Sequence, residues 1–128
     1  MKKRVIPILL ACLLLAGCGQ EPAATNYQQI DAETAKTMMD EQPEIVVLDV
    51  REEHEFEDGH IPGAVLLPLD SISAETAGKA IPTLNTKVLV YCRSGNRSKK
   101  ASAKLADLGY TAVYEFGGIN DWPYDVTD

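Results

Sequence analysis

Seven consecutive residues, Cys92-Arg93-Ser94-Gly95-Asn96-Arg97-Ser98, bring a sulfur nucleophile together with two guanidinium groups, two hydroxyls and a glycine. They lie between an apolar run, Val88 to Tyr91, and a helical-looking run that extends from Ser98 to Leu108. A strand that ends in a short Gly-containing turn and feeds a helix can aim several backbone N–H groups, plus the positive end of the helix dipole, at one point. Cys92 opens that cradle and Arg97 closes it. Cys92 is therefore the candidate nucleophile, and Arg93, Ser94, Gly95, Asn96, Arg97 and Ser98 are candidates for holding an anion beside it.

Thiolate fraction alone does not explain such a loop. A cysteine of pKa ~8.5 is about 3% thiolate at pH 7, and a drop to ~6 would raise that about thirtyfold. Nucleophilicity falls with pKa at a slope of ~0.4 to 0.5, which takes back all but about twofold of the gain. The cradle is better suited to binding an anionic donor and a charged sulfur product, with charge-assisted hydrogen bonds of ~1.5 to 3 kcal/mol each.

The positive charge is concentrated there. Arg93, Arg97, Lys99, Lys100 and Lys104 occupy a window with no acid between Glu75 and Asp107, and Lys100 and Lys104 read as a solvated helix face. The whole chain is acidic, at −7. Nucleic acid is therefore not expected as a partner.

The elements that must position the loop can be read from apolar patterning. Ile45–Leu48, Val65–Leu67 and Val88–Tyr91 are continuous apolar runs, as expected of parallel strands buried on both faces, and Ala112–Tyr114 is a last short strand. Asp31 to Glu41 reads as a helix capped by Asp31, with Ala32, Ala35, Met38 and Met39 as its apolar stripe. Glu52–Glu57 and Ile72–Ala80 are shorter helical or turn-rich segments. Ser98 is the expected cap of the clearest helix, whose stripe is Ala101, Leu105 and Leu108 and whose stop is Gly109. Phe116 to Ile119 reads as a turn leading to a packing residue, Trp122. The alternation predicts one α/β domain, a central parallel sheet with helices on both faces, over residues 27–128.

Residues 1–17 read as an export signal: Lys2, Lys3 and Arg4, then an apolar stretch from Val5 to Ala16 that is too short to span a bilayer. Leu15-Ala16-Gly17-Cys18 resembles the lipobox of bacterial lipoproteins. That resemblance implies cleavage before Cys18, lipidation of Cys18 and a tether over residues 18–26. The implied location is the cell envelope: the outer membrane facing the periplasm in a Gram-negative source, or the outer leaflet of the plasma membrane in a Gram-positive one. Loss of the signal would leave nine of the twelve basic residues against nineteen acidic ones, a net charge of −10. Cys12 would leave with the signal, so Cys92 would be the one free thiol and no internal disulfide could form.

Asp49-Val50-Arg51, Glu55-Phe56, Gly59-His60-Ile61-Pro62-Gly63-Ala64, the Cys92–Ser98 loop, Gly109-Tyr110, Phe116-Gly117-Gly118 and Trp122-Pro123 occur in an order that resembles a single-domain rhodanese. The resemblance implies a rhodanese-like α/β fold, sulfurtransferase activity through a persulfide on Cys92, and backbone N–H groups from Arg93 to Ser98 around that sulfur. The partners it implies are a small anionic donor such as thiosulfate and a cyanide or thiol acceptor. No cofactor is expected. Asp49 and Arg51 read as supporting residues, an ion pair ordering the loops under the site. His54 reads as exposed and His60 as a hydrogen-bonding turn residue; nothing in the spacing of His54, His60 and Cys92 suggests a metal cage. Cys-Arg phosphatases and arsenate reductases place five residues between Cys and Arg, whereas four stand here, which favours sulfur transfer. A partner-directed module carrying a persulfide without rapid turnover is the other alternative.

Overall fold

The computed structural model describes residues 26–128, so the expected signal peptide over residues 1–17, the lipobox-like stretch and Cys18 lie outside the described residues. The chain runs β1 (Gln28–Gln29), α1 (Ala32–Glu41), β2 (Val46–Asp49), α2 (Glu53–Asp58), β3 (Val65–Leu66), α3 (Ala74–Ala80), β4 (Val88–Cys92), α4 (Asn96–Asp107) and β5 (Val113–Gly118), with 3-10 turns at Leu69–Ser71 and Ile119–Asp121. The strands form one parallel sheet in the order β1-β5-β4-β2-β3.

Both faces of the sheet are covered, which is why its central strands read as unbroken apolar runs. Alternate residues point to opposite sides. Leu48, Val50, Val88, Val90 and Cys92 pack with Ala77 of α3 and with Ala101 and Leu105 of α4. Val47, Leu89 and Tyr91 pack with Ala35 of α1 and with Phe116 and Trp122. Met38 and Met39 lean on this second cluster, so they are packing residues, as is Trp122, 5.5 Å from the Phe116 ring. Asp31 caps α1 through a 2.7 Å bond from the Thr34 N–H to its carboxylate.

Three sequence expectations need correction. Phe116–Gly118 is not a turn but the end of β5, because Gly118 pairs opposite Cys92 across a register irregularity. Leu108 is not in the core stripe: it lies past the last turn of α4 and is 36% exposed. Ser98 does not cap α4, which begins two residues earlier, after Gly95.

The chain leaves β2 toward β3 on one side of the sheet and leaves β4 toward β5 on the other. The order therefore reverses between β2 and β4. In open α/β sheets, a ligand crevice forms outside the carboxyl ends of the strands at such a reversal. Asp49 and Cys92 end these two strands.

Candidate active site

At the end of β4 the chain must turn within three residues to start α4. Gly95 makes the turn at φ 107°, a left-handed conformation that favours glycine, and thereby swings its own N–H back onto Cys92 Sγ at 3.0 Å. The sulfur thus sits at the N-terminus of a twelve-residue helix. Burial, the largest single influence, pushes the Cys92 thiol up. It is outweighed by hydrogen bonds, those of the backbone N–H groups of Ser98, Gly95 and Ser94 among them, so the thiol lies below its ordinary value. Cys92 is only 1% exposed.

The far side of the loop rests directly on β5. A Cβ on Gly118 would stand 2.0 Å from the Arg93 carbonyl oxygen, and that same oxygen accepts from the Asn120 N–H at 3.2 Å. Two main chains are in contact here, with no side chain between them.

The sequence-predicted residues divide into distinct roles. Ser98 is buried and points inward: its Oγ accepts from Cys92 Sγ at 3.4 Å, and its one proton faces three acceptors, Glu115 at 2.7 Å being nearer than the Gly95 carbonyl at 3.0 Å and the Gly117 carbonyl at 3.3 Å. Arg97 does not stand open to a ligand. Its two terminal nitrogens form a bidentate pair with Glu55, at 2.6 and 2.9 Å. The Arg97 guanidinium, against the opposing effect of burial, holds the Glu55 carboxyl down at about 2. Arg93 is exposed and lines a shallow groove of about 240 Å³ with Arg51, Glu55, Asp58, Ile119 and Asn120. Ser94 and Asn96 are exposed.

Asp49 and Arg51 form a buried ion pair at 2.7 Å, lying under the crevice. Asp49 also accepts from the Tyr91 hydroxyl at 2.6 Å, that hydroxyl accepts from the Ile61 N–H at 3.1 Å, and Arg51 reaches the Gly59 carbonyl at 2.7 Å. One carboxylate thereby ties β2 and β4 to the turn after α2. His60 stacks on Phe56, with ring centroids 3.7 Å apart, and its Nδ1 lies 2.9 Å from the Phe56 carbonyl. His54 is exposed, and the described residues contain no His, Cys, Asp and Glu cluster placed to hold a metal.

Sequence reasoning missed three participants: Glu55 as the partner of Arg97, Glu115 beneath Ser98, and Gly118 against Arg93. The first had a usable signal. Segments that follow adjacent parallel strands meet at the same edge, so an acid after β2 is a candidate partner for an arginine after β4.

Comparison with known proteins converges on one family. The rhodanese-like domain model matches residues 31–124. The thiosulfate sulfurtransferase PspE of Escherichia coli is 36% identical over 74 residues, which span 58% of this chain and 70% of that protein. A sulfurtransferase of Allochromatium vinosum is 35% identical over 95 residues, covering 73% and 86%. Among solved structures, a rhodanese with anions from E. coli superposes with a TM-score of 0.61 at 32% identity, over 66% of this chain and 98% of that one.

Proposed function

Because the chain belongs to the rhodanese-like domain family, we propose that it is a sulfurtransferase that takes a sulfane sulfur from thiosulfate or a related anionic donor onto Cys92 and passes it to cyanide or a thiol. The Gly95 N–H at 3.0 Å from Cys92 Sγ, at the head of α4, carries this reading. In the first half-reaction the Cys92 thiolate attacks the sulfane sulfur of thiosulfate. An S–S bond forms, the bond to the sulfonate sulfur breaks, and sulfite leaves with the electron pair. In the second, cyanide or a thiolate attacks the terminal sulfur of the persulfide and Cys92 departs as thiolate. No outside oxidant or reductant is needed, and the cradle meets an anion at every stage. Intact-protein mass spectrometry tests both halves: thiosulfate should add the mass of one sulfur, and cyanide should remove it.

The pairing of Arg97 with Glu55 limits how strongly thiosulfate is held. Glu55→Gln frees the guanidinium while keeping the shape, so KM for thiosulfate should fall about two- to fivefold, the scale of a partly exposed ion pair of up to ~1 kcal/mol. The same variant has an acid signature. A carboxyl lowered to about 2 from an ordinary 4.5 gives stability that is complete above 4.5 and is lost as pH falls toward 2. Circular dichroism across that window should show a shallower acid limb for Glu55→Gln. A raised KM, or identical acid limbs, would show that the pair does not restrain Arg97.

The signal-like residues 1–17 and Cys18 support a second element of the proposal, anchorage to the cell envelope by lipid on Cys18. Stable anchoring takes more than one acyl chain, at ~0.8 kcal/mol per buried CH₂. Cys18→Ser should move the protein from the membrane fraction to the soluble fraction. Retention of the variant in salt-washed membranes would point to a different anchor.

A further inference from the structure

Glu115, in the middle of β5, is 3% exposed and takes part in none of the ion pairs among the described residues. Its Oε1 accepts from the Ser98 hydroxyl and from the Gly117 N–H, each at 2.7 Å; Gln29 approaches Oε2 at 3.5 Å. A buried carboxylate without a cation is costly. This one stands one hydroxyl away from the reactive sulfur.

That hydroxyl has a single proton to give. The carboxylate is its closest acceptor, 2.7 Å away against 3.4 Å to Cys92 Sγ, and charge-assisted bonds are the stronger kind. With Glu115 ionised, Ser98 turns its proton to the carboxylate and presents a lone pair to Cys92, which suits the neutral thiol. Glu115 Oε1 also lies near the start of α4, 3.9 Å from where a Gly95 Cβ would be. The other nearby charges are already matched: Arg97 of α4 by Glu55 of α2, and Arg51 by Asp49 at the end of β2. Arg93 is exposed, and β1 brings only the uncharged Gln29.

We propose that Glu115 is a positioning residue coupled to Cys92 through Ser98, its negative charge opposing formation of the Cys92 thiolate. The proposal deepens the reading of Cys92 as the sulfur carrier and rests on it. Glu115 restrains the resting thiol, and removing its charge should make Cys92 more acidic.

The test is a pH titration of the Cys92 thiolate by ultraviolet absorbance in the full chain, with the Cys92→Ser protein as the blank. Glu115→Gln keeps an oxygen for Ser98 and for the Gly117 N–H but loses the charge. Its midpoint should fall by about one pH unit, giving about tenfold more thiolate below the midpoint. Simple damage to the cradle would strip N–H groups from the sulfur and raise the midpoint instead. An unmoved or raised midpoint overturns the coupling. A second measurement needs no change at Glu115. Because coupling is reciprocal, the isotope-labelled Glu115 carboxyl carbon should show an NMR step at the Cys92 midpoint that is absent from Cys92→Ser. A titration without that step also overturns the proposal. Neither measurement involves sulfur transfer, so coupling without persulfide formation would count against the functional reading alone.

Discussion

Cys92→Ser is expected to lower thiosulfate:cyanide sulfur transfer by about 10³-fold or more, with the fold retained. The exchange replaces Sγ with a smaller, harder oxygen in a site that already donates a hydrogen bond to it from Gly95, so the loop keeps its closing contact. Chemistry is what is lost: a serine hydroxyl is not ionised at neutral pH and forms no persulfide. Mass spectrometry of the variant after thiosulfate should show no added sulfur, and in the wild type the added mass should map to the peptide containing Cys92. Unchanged turnover in Cys92→Ser would sink the persulfide mechanism.

The second large effect falls on stability. Asp49→Ala removes the carboxylate that meets Arg51 and Tyr91 in the interior, and the cost is expected at about 3 to 5 kcal/mol, that of leaving a buried charge unpaired. The loss is large against the ~5 to 15 kcal/mol that holds a typical domain together. Urea unfolding should show a midpoint far below wild type. Asp49→Leu combined with Arg51→Met, which removes both charges, should recover much of the difference. A cost below about 1 kcal/mol for Asp49→Ala would mean that Arg51 finds another partner and that Asp49 does not tie the strands together.

The two predictions rest on features of different legibility. The strands ending at Asp49 and near Cys92 could be read directly, because burial on both faces leaves a run such as Val88–Tyr91 without polar interruption. The loop between Cys92 and α4 was legible too, since its glycine and its position between strand and helix have few other uses. Gln28–Gln29 has no apolar signature and becomes a strand only by pairing with β5. Gly117 and Gly118 have turn composition, yet the second continues β5 because only a residue without a side chain fits beside Arg93. Glu115 interrupts an apolar strand and so resembles a solvent-facing acid; its burial follows from the Ser98 hydroxyl above it. The Glu55–Arg97 pair joins positions 42 residues apart, so no local pattern records it and only the adjacency of β2 and β4 points to it.

The close approach of Gly118 to Arg93 also limits how the site can vary. Where a catalytic loop is propped by side chains, exchange of those side chains can move it by small steps, and a family can drift toward new substrates. Here the prop is bare backbone, and the smallest possible addition, one methyl group, would stand 2.0 Å from a carbonyl oxygen. No graded series of substitutions leads away from glycine at that position. Diversification must then occur at the rim, at exposed residues such as Arg93 and Asn120, while the sulfur-holding ring is inherited as a fixed part.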